Sequence, residues 1–170
     1  MHWFDVDKEG LAKILERRGK AFVVYELIQN AWDQNVSEVL IALEPLKNRP
    51  VCRLCVRDDD PEGFQDLSHA YTLFAESVKK GDPEKRGRFN LGEKLVLALC
   101  NKARITTTKG TVIFDENGRH KKRTKTDTGS EFEADIRMTR DEYHEICCDV
   151  HRLIVPDSFT TSFNGDKLQP

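Results

Sequence analysis

Three observations predict an α/β two-layer sandwich, with a mostly antiparallel sheet covered on one face by helices. Residues 38–46, 51–57, 103–108, 111–115, 119–126 and 130–138 are strand-like, and period-two alternation in 51–57 and 130–138 marks strands with one buried face. It is cleanest in the last of these, where Phe132, Ala134, Ile136 and Met138 alternate with Glu131, Glu133, Asp135 and Arg137. Helical spacing marks residues 21–36, 64–74, 93–99 and 139–153, and Lys109-Gly110, Asn117-Gly118 and Thr128-Gly129 supply tight turns between strands.

Composition bounds the rest. With 170 residues, 38% hydrophobic and 33% charged, the chain forms one domain with a proper core. We place that domain at residues 1–155, with 156–170 as the start of a following domain or a tail. A formal net charge of -2 gives no global pull toward nucleic acid or anionic lipid. There is no apolar run of bilayer length, and Asp5, Asp7 and Glu9 leave the N-terminus unlike a secretory signal, so no membrane contact and a cytoplasmic location are expected. Five cysteines, an odd count without framework spacing, read as reduced thiols. Cys52 and Cys55 lie three apart in a strand and should point to opposite faces. His144, Cys147, Cys148 and His151 share a helical stripe that suits either a metal or, more commonly, core packing.

Taken in order, Trp3 and Phe4 lead into a short helix containing Leu11, Ile14 and Leu15, which Gly19 ends. In the helix over residues 21–36, Glu26, Asn30 and Asp33 fall within roughly 60° of one another at about 100° per residue. Val24, Leu27, Ile28 and Ala31 occupy the other side, so the polar face stands at the rim of the core. A carboxamide oxygen there can ligate a hard cation such as Mg²⁺, and a carboxylate one turn away can orient or deprotonate a water. The strands over 38–46 and 51–57 form an antiparallel pair. Asp58 continues the buried row of Cys52, Leu54 and Val56, a costly position unless a group such as a nucleobase amine donates to it.

The loop from Asp58 to Phe64, Gly63 included, is too acidic to cradle phosphate and is assigned to the base end of a ligand. Residues 76–90, with Lys79, Lys80, Lys85, Arg86 and Arg88 among glycines, read as a basic lid over phosphates. Gly87, Arg88, Phe89, Asn90, Leu91 and Gly92 run into an apolar helix, bringing backbone amides to a helix N-terminus, an anion-binding arrangement. The strands beyond Cys100 form an antiparallel meander in which Ser130 shares the buried parity. Arg119, His120, Lys121, Lys122, Arg123 and Lys125 make a dense basic cluster on a hairpin, suited either to phosphate backbones or to blocking edge-to-edge aggregation. Thr139 N-caps the helix that follows, and residues 160–168 form a strand or turn around Asn164-Gly165.

With these residues in hand, the chain resembles the GHKL superfamily of Bergerat-fold ATPases, which includes gyrase B subunits, ninety-kilodalton heat-shock chaperones, MutL and MORC proteins and sensor histidine kinases. The resemblance covers about residues 5–140. Glu26-Leu27-Ile28-Gln29-Asn30-Ala31-Trp32-Asp33 is similar to the family's N box, which implies Glu26 as general base and Asn30 as magnesium ligand. Asp58 sits at the adenine-binding aspartate, the stretch Gly87 to Gly92 resembles the second glycine box, and Thr128-Gly129-Ser130 resembles the later Gly-Thr. The family's first glycine box reads D-x-G-x-G, whereas here Asp60 stands at the first glycine and Gly63 comes one residue late. Asn90 replaces the middle glycine of the second box.

The resemblance implies a Bergerat-type mixed sheet and a Mg²⁺-dependent ATP-binding and ATP-hydrolysing domain acting as a nucleotide-driven clamp, with ATP and Mg²⁺ as cofactors. Glutamate at position 26 favours an ATPase over a histidine-kinase-like catalytic domain; a nucleotide-sensing module without hydrolysis is the other reading. Implied nucleotide contacts are Asn30, Asp33, Asp58, Gly63, Lys79, Lys80, Gly87, Phe89, Asn90, Leu91, Gly92 and Ser130. The implied partners are ATP or ADP and, in a longer protein, a second copy in an ATP-dependent homodimer; nucleic acid is a partner offered only by the residues of the 119–125 hairpin, as the alternative to edge protection.

Overall fold

The computed structural model describes residues 20–62 and 100–170. The elements run α1 (Lys20–Trp32), β1 (Glu38–Pro45), β2 (Val51–Asp58), β3 (Cys100–Thr107), β4 (Gly110–Asp115), β5 (Gly118–Lys122), β6 (Glu131–Arg137), α2 (Arg140–Val150), β7 (Thr160–Phe163) and β8 (Asp166–Lys167). The strands form one sheet in the order β5-β4-β3-β6-β2-β1-β7-β8. Every neighbouring pair is antiparallel except β1 and β7, which makes the sheet mixed.

Both helices pack on β1 and on each other, and α1 reaches β2 as well, which places them on one face of the sheet. That face carries the alternate residues Val39, Ile41 and Leu43 of β1, Cys52, Leu54 and Val56 of β2, and Phe132, Ala134 and Ile136 of β6. Val23, Val24, Leu27, Ile28 and Ala31 meet them from α1, and Ile146 and Val150 from α2. Burying each such side chain contributes about 1.5–3 kcal/mol, so this row-on-row contact dominates the stability of the fold. The opposite face is polar: Arg53 forms a two-pronged pair with Asp135 at 2.8 and 3.0 Å, and Arg104 reaches Glu133 at 3.2 Å. Cys52 is buried and Cys55 lies on that other face, as strand parity requires.

The meander expected beyond Cys100 is only partly consecutive. Strands β3, β4 and β5 follow one another, but β6 returns to lie between β3 and β2. The reason is burial. All five residues of β5 are exposed, whereas the inward row of β6 needs an apolar neighbour on each side. The end of α1 is also tighter than helical spacing predicts. Asn35 donates its backbone N–H to the Asp60 carboxylate at 3.1 Å, and Ser37 donates its own to Asp59 at 2.8 Å, so the chain leaves the helix after Trp32 to satisfy those acceptors. At α2 the expected N-cap is present as a full capping box between Thr139 and Glu142.

Residues 156–170, expected to open a following domain or tail, contribute β7 and β8 to this same sheet. Asn164 at φ 49° and Gly165 at φ 89° make the tight turn between them, and the Asn164 side-chain oxygen accepts the Leu43 N–H at 2.8 Å. Phe163 is completely buried. The indole N–H of Trp32 donates to Thr161 Oγ1 at 3.0 Å, tying α1 to β7. Thr161→Val removes the hydroxyl that accepts this buried hydrogen and should cost about 1–3 kcal/mol. At roughly 2–4 °C per kcal/mol for a domain of this size, a melt should show a midpoint lowered by several degrees; an unchanged midpoint would mean that the 160–168 segment contributes little to the fold.

Candidate functional site

At the end of the sheet where β2 and α1 terminate, a cleft of about 430 Å³, its open mouth included, lies between helix and strands. Asn30 and Gln34 line it from the helix side, Asp58 from the end of β2, and Ser130 and Phe132 from β6. Its floor is the continuation of the core: Leu27, Ala31, Val56 and Ile105 bring apolar side chains to it. An apolar slot with a few polar groups at one end is the form that a planar heterocycle requires.

Asp58 is held in place rather than free to turn. Its Oδ1 accepts the backbone N–H of Asp60 at 3.1 Å and of Ser130 at 3.2 Å, while its own N–H donates to the Ser130 carbonyl at 3.0 Å. Burial pushes its carboxyl up to about 6 against the restraint of those two amides, and the neighbouring Asp60 and Asp59 charges push the same way. The approach that makes this possible depends on Gly129, at φ 72°; a Cβ there would lie 1.9 Å from the Asp58 carbonyl oxygen. Gly129 also donates to the Asp60 carbonyl at 2.9 Å, and the Thr126 hydroxyl donates to the Gly129 carbonyl at 2.6 Å. The two loops are thus latched across the cleft end.

The acidic run divides its labour. Asp59 accepts from the backbone of Ser37 and Glu38 and from the Ser37 hydroxyl, and these hydrogen bonds hold its carboxyl below the usual range despite some burial. Asp60 accepts from Asn35 and Glu62. Asp60 stands where the resembled motif has glycine, yet the only non-glycine residues at positive φ among those described are Asn48 and Asn164. The loop therefore follows an ordinary backbone path, fixed by side-chain acceptors that a glycine lacks.

The structure brings Asn30, Asp58 and Ser130 to one cleft. Asp33 is buried at the end of α1 and Glu26 is half-buried one turn before Asn30; neither is part of the cleft wall. Gly63, Lys79, Lys80, Gly87, Phe89, Asn90, Leu91 and Gly92 lie outside the described residues, as do the basic lid and the N-terminal helix. Sequence reasoning did not single out Gln34, Ile105, Glu131 or Phe132 as lining residues. The inward parity of Ile105 and Phe132 was readable, but which end of which strand faces the helix depends on β6 lying between β3 and β2. Among the described residues no cluster of His, Cys, Asp and Glu is placed to hold a metal; Cys148 and His144 on α2 are exposed.

One mixed sheet with its helices on a single face is a fold shared with solved structures. In particular, the chain is similar to the crystal structure of the ATPase region of Saccharomyces cerevisiae topoisomerase II bound to ICRF-187 (dexrazoxane), with a TM-score of 0.63 and 14% identity over 89% of this chain and 49% of that one. A second structure of the same ATPase region gives a TM-score of 0.60 and 14% identity over 88% and 48%. The chain thus spans about half the length of the regions it matches. No protein-family model matches the sequence, and no curated protein matches it.

The elevated Asp58 has a consequence for stability. Its folded value lies above the ordinary 3.8, so the folded state holds this proton more tightly than the unfolded chain does. Its contribution favours folding below about pH 4 and is lost as pH rises through about 6, a change on the order of 3 kcal/mol. Asp58→Asn keeps an oxygen for the two amides but does not titrate. Urea unfolding of both proteins at pH 4 and pH 7 should show the variant gaining on the wild type at the higher pH. Parallel pH profiles would mean that Asp58 is not perturbed.

Proposed function

We propose that this chain is an ATP-binding and ATP-hydrolysing domain that uses Mg²⁺-nucleotide binding to drive a conformational clamp. The observation that carries the reading is the meeting of Asn30, Asp58 and Ser130 at one cleft, three positions drawn from separate motifs and separate elements. Two of the three lie 72 residues apart in sequence and are joined by hydrogen bonds.

The adenine ring enters the slot between Leu27, Ile105 and Phe132. Its exocyclic amine donates to Asp58, whose Oδ1 is oriented by the amides of Asp60 and Ser130. A donor there offsets the desolvation that raises the carboxyl, which is how the site favours adenine over a base with a carbonyl in that position. Ser130, which lines the same end of the cleft, is proposed to assist there through its hydroxyl. The fit to Mg²⁺ rests on Asn30, a buried carboxamide at the cleft that offers one hard oxygen, the kind of single protein ligand Mg²⁺ takes when phosphates and water complete its shell. Bound there, Mg²⁺ would neutralise charge on the phosphates. Glu26, one helical turn from Asn30, orients and deprotonates the attacking water. Lys79, Lys80 and the amides around Gly87 and Gly92 are proposed to hold the phosphates. In a longer protein, closure over the nucleotide would favour an ATP-dependent homodimer.

Single-turnover hydrolysis of Mg²⁺-ATP separates binding from chemistry. Glu26→Gln should lower the rate by about 10²–10⁴ while leaving ADP affinity within a factor of about two, because the residue acts on water and not on the base. Asp58→Ala should do the reverse, weakening ADP binding at least tenfold. If Glu26→Gln hydrolyses ATP as fast as the wild type, the general-base role is wrong; if neither protein hydrolyses ATP although both bind it, the domain is a nucleotide sensor.

A further inference from the structure

The strand at one edge of the sheet carries a charge pattern that the nucleotide site does not use. Five of the chain's 27 Lys and Arg, and none of its 29 Asp and Glu, fall within residues 118–126, so the remainder holds seven more acids than bases. Such segregation in a chain of net charge -2 is a local field, not a general basicity. Every residue of β5 is exposed, and so are Arg123, Thr124 and Lys125 beyond it. Lys122, Arg123 and Lys125 have no carboxylate within ion-pair distance among the described residues.

The cluster is rigidly presented. Strand β5 is paired along its length with β4, and beyond it the Thr124 carbonyl accepts the Thr111 hydroxyl at 2.5 Å while the Thr126 N–H donates to the Thr107 carbonyl at 3.0 Å. Residues 118–126 are thereby pinned from both ends, and Lys109, exposed on the β3–β4 turn beside Thr107, extends the basic strip. In extended chain, alternate side chains stand about 6.8 Å apart, close to two phosphate steps along one strand of a duplex at about 3.4 Å each. Side chains held at this repeat meet every second phosphate without the ordering cost that a disordered tail incurs.

Chemistry narrows the partner. No aromatic residue other than His120 occurs in 118–126, and the His120 ring is engaged by Asp115 at 3.1 Å, so the strip lacks a stacking platform for unpaired bases. It also lacks any apolar side chain to enter a bilayer. We infer that the β5 edge, from Arg119 to Lys125, is a docking surface for the phosphate backbone of duplex nucleic acid, without sequence preference. Arginine and lysine supply direct contacts to phosphate oxygens, and released counterions drive the association.

The test is fluorescence anisotropy of the whole chain with a labelled mixed-sequence DNA duplex, titrated at several salt concentrations. Three to four phosphate contacts give a slope of log K against log salt of about -3, hence a loss of roughly 50- to 100-fold between 50 and 200 mM salt. The triple substitution Lys121→Gln, Lys122→Gln, Arg123→Gln should weaken binding at low salt at least tenfold and flatten the slope by about 3. Its melting midpoint and ADP affinity should stay at wild-type values, since these exposed residues belong neither to the core cluster nor to the cleft lining. Lys167→Gln, on the opposite edge of the sheet, should bind duplex as the wild type does. Absence of binding at low salt, an unchanged slope in the triple variant, or tighter association with phosphatidylserine vesicles than with duplex would each overturn the assignment.

Discussion

A carboxylate held at the end of a buried strand row is the constraint around which this structure is arranged. Asp58 occupies the position where the inward face of β2 runs out beneath α1, and burial there is tolerated because two backbone amides converge on one of its oxygens. Those amides come from Asp60 and Ser130, so the requirement to satisfy one acid specifies the path of two loops. Gly129 is the permissive element, since only a residue without Cβ allows the β6 lead-in to pass against the Asp58 backbone. The carboxyl remains raised to about 6 even so. A native state that keeps an incompletely compensated acid at a cleft wall departs from maximal stability, and such departures concentrate where ligands bind.

The placement of Asp58 also organises the helix that faces it. Asp59 and Asp60 draw the chain after Trp32 out of helical geometry and deliver it to β1, which fixes how α1 lies across the sheet. That orientation, with Leu27 and Ile28 buried and Asn30 at the rim, is what lets a carboxamide on the helix and a carboxylate on the sheet share one cleft. At the opposite side of the sheet, β5 contributes nothing to the core and is free to carry an unbroken basic sequence. Core, cleft and edge therefore make separate demands on the sequence.

Much of this was legible in the residues. The strand-like runs at 38–46, 51–57 and 130–138 located strands to within one or two positions, because each buries one face, and the Thr139 capping signal placed α2. The narrow polar face of α1 was readable from helical geometry alone. Strand order was not. Local alternation says that β6 needs covered neighbours but not which ones, and hairpin turns at Asn117-Gly118 and Thr128-Gly129 look alike although only the first joins adjacent strands. The incorporation of β7 beside β1 was equally hidden, since a parallel pairing between residues about 120 apart leaves no local trace. The role of Asp60 as an acceptor for Asn35 likewise depends on a contact 25 residues away.

The central claim, that Asp58 at this cleft receives the amine of an adenine ring, is tested most directly by comparing thermal midpoints with saturating Mg²⁺-ADP and Mg²⁺-IDP. The two ligands share sugar and phosphates and differ in presenting an amine or a carbonyl at the position facing Asp58. At about one hundred times its dissociation constant ADP should stabilise the chain by roughly 2.7 kcal/mol, raising the midpoint by about 5–10 °C. IDP at the same concentration should shift it far less, because two acceptors then face each other. Equal shifts with both nucleotides, or none with ADP, would contradict the account.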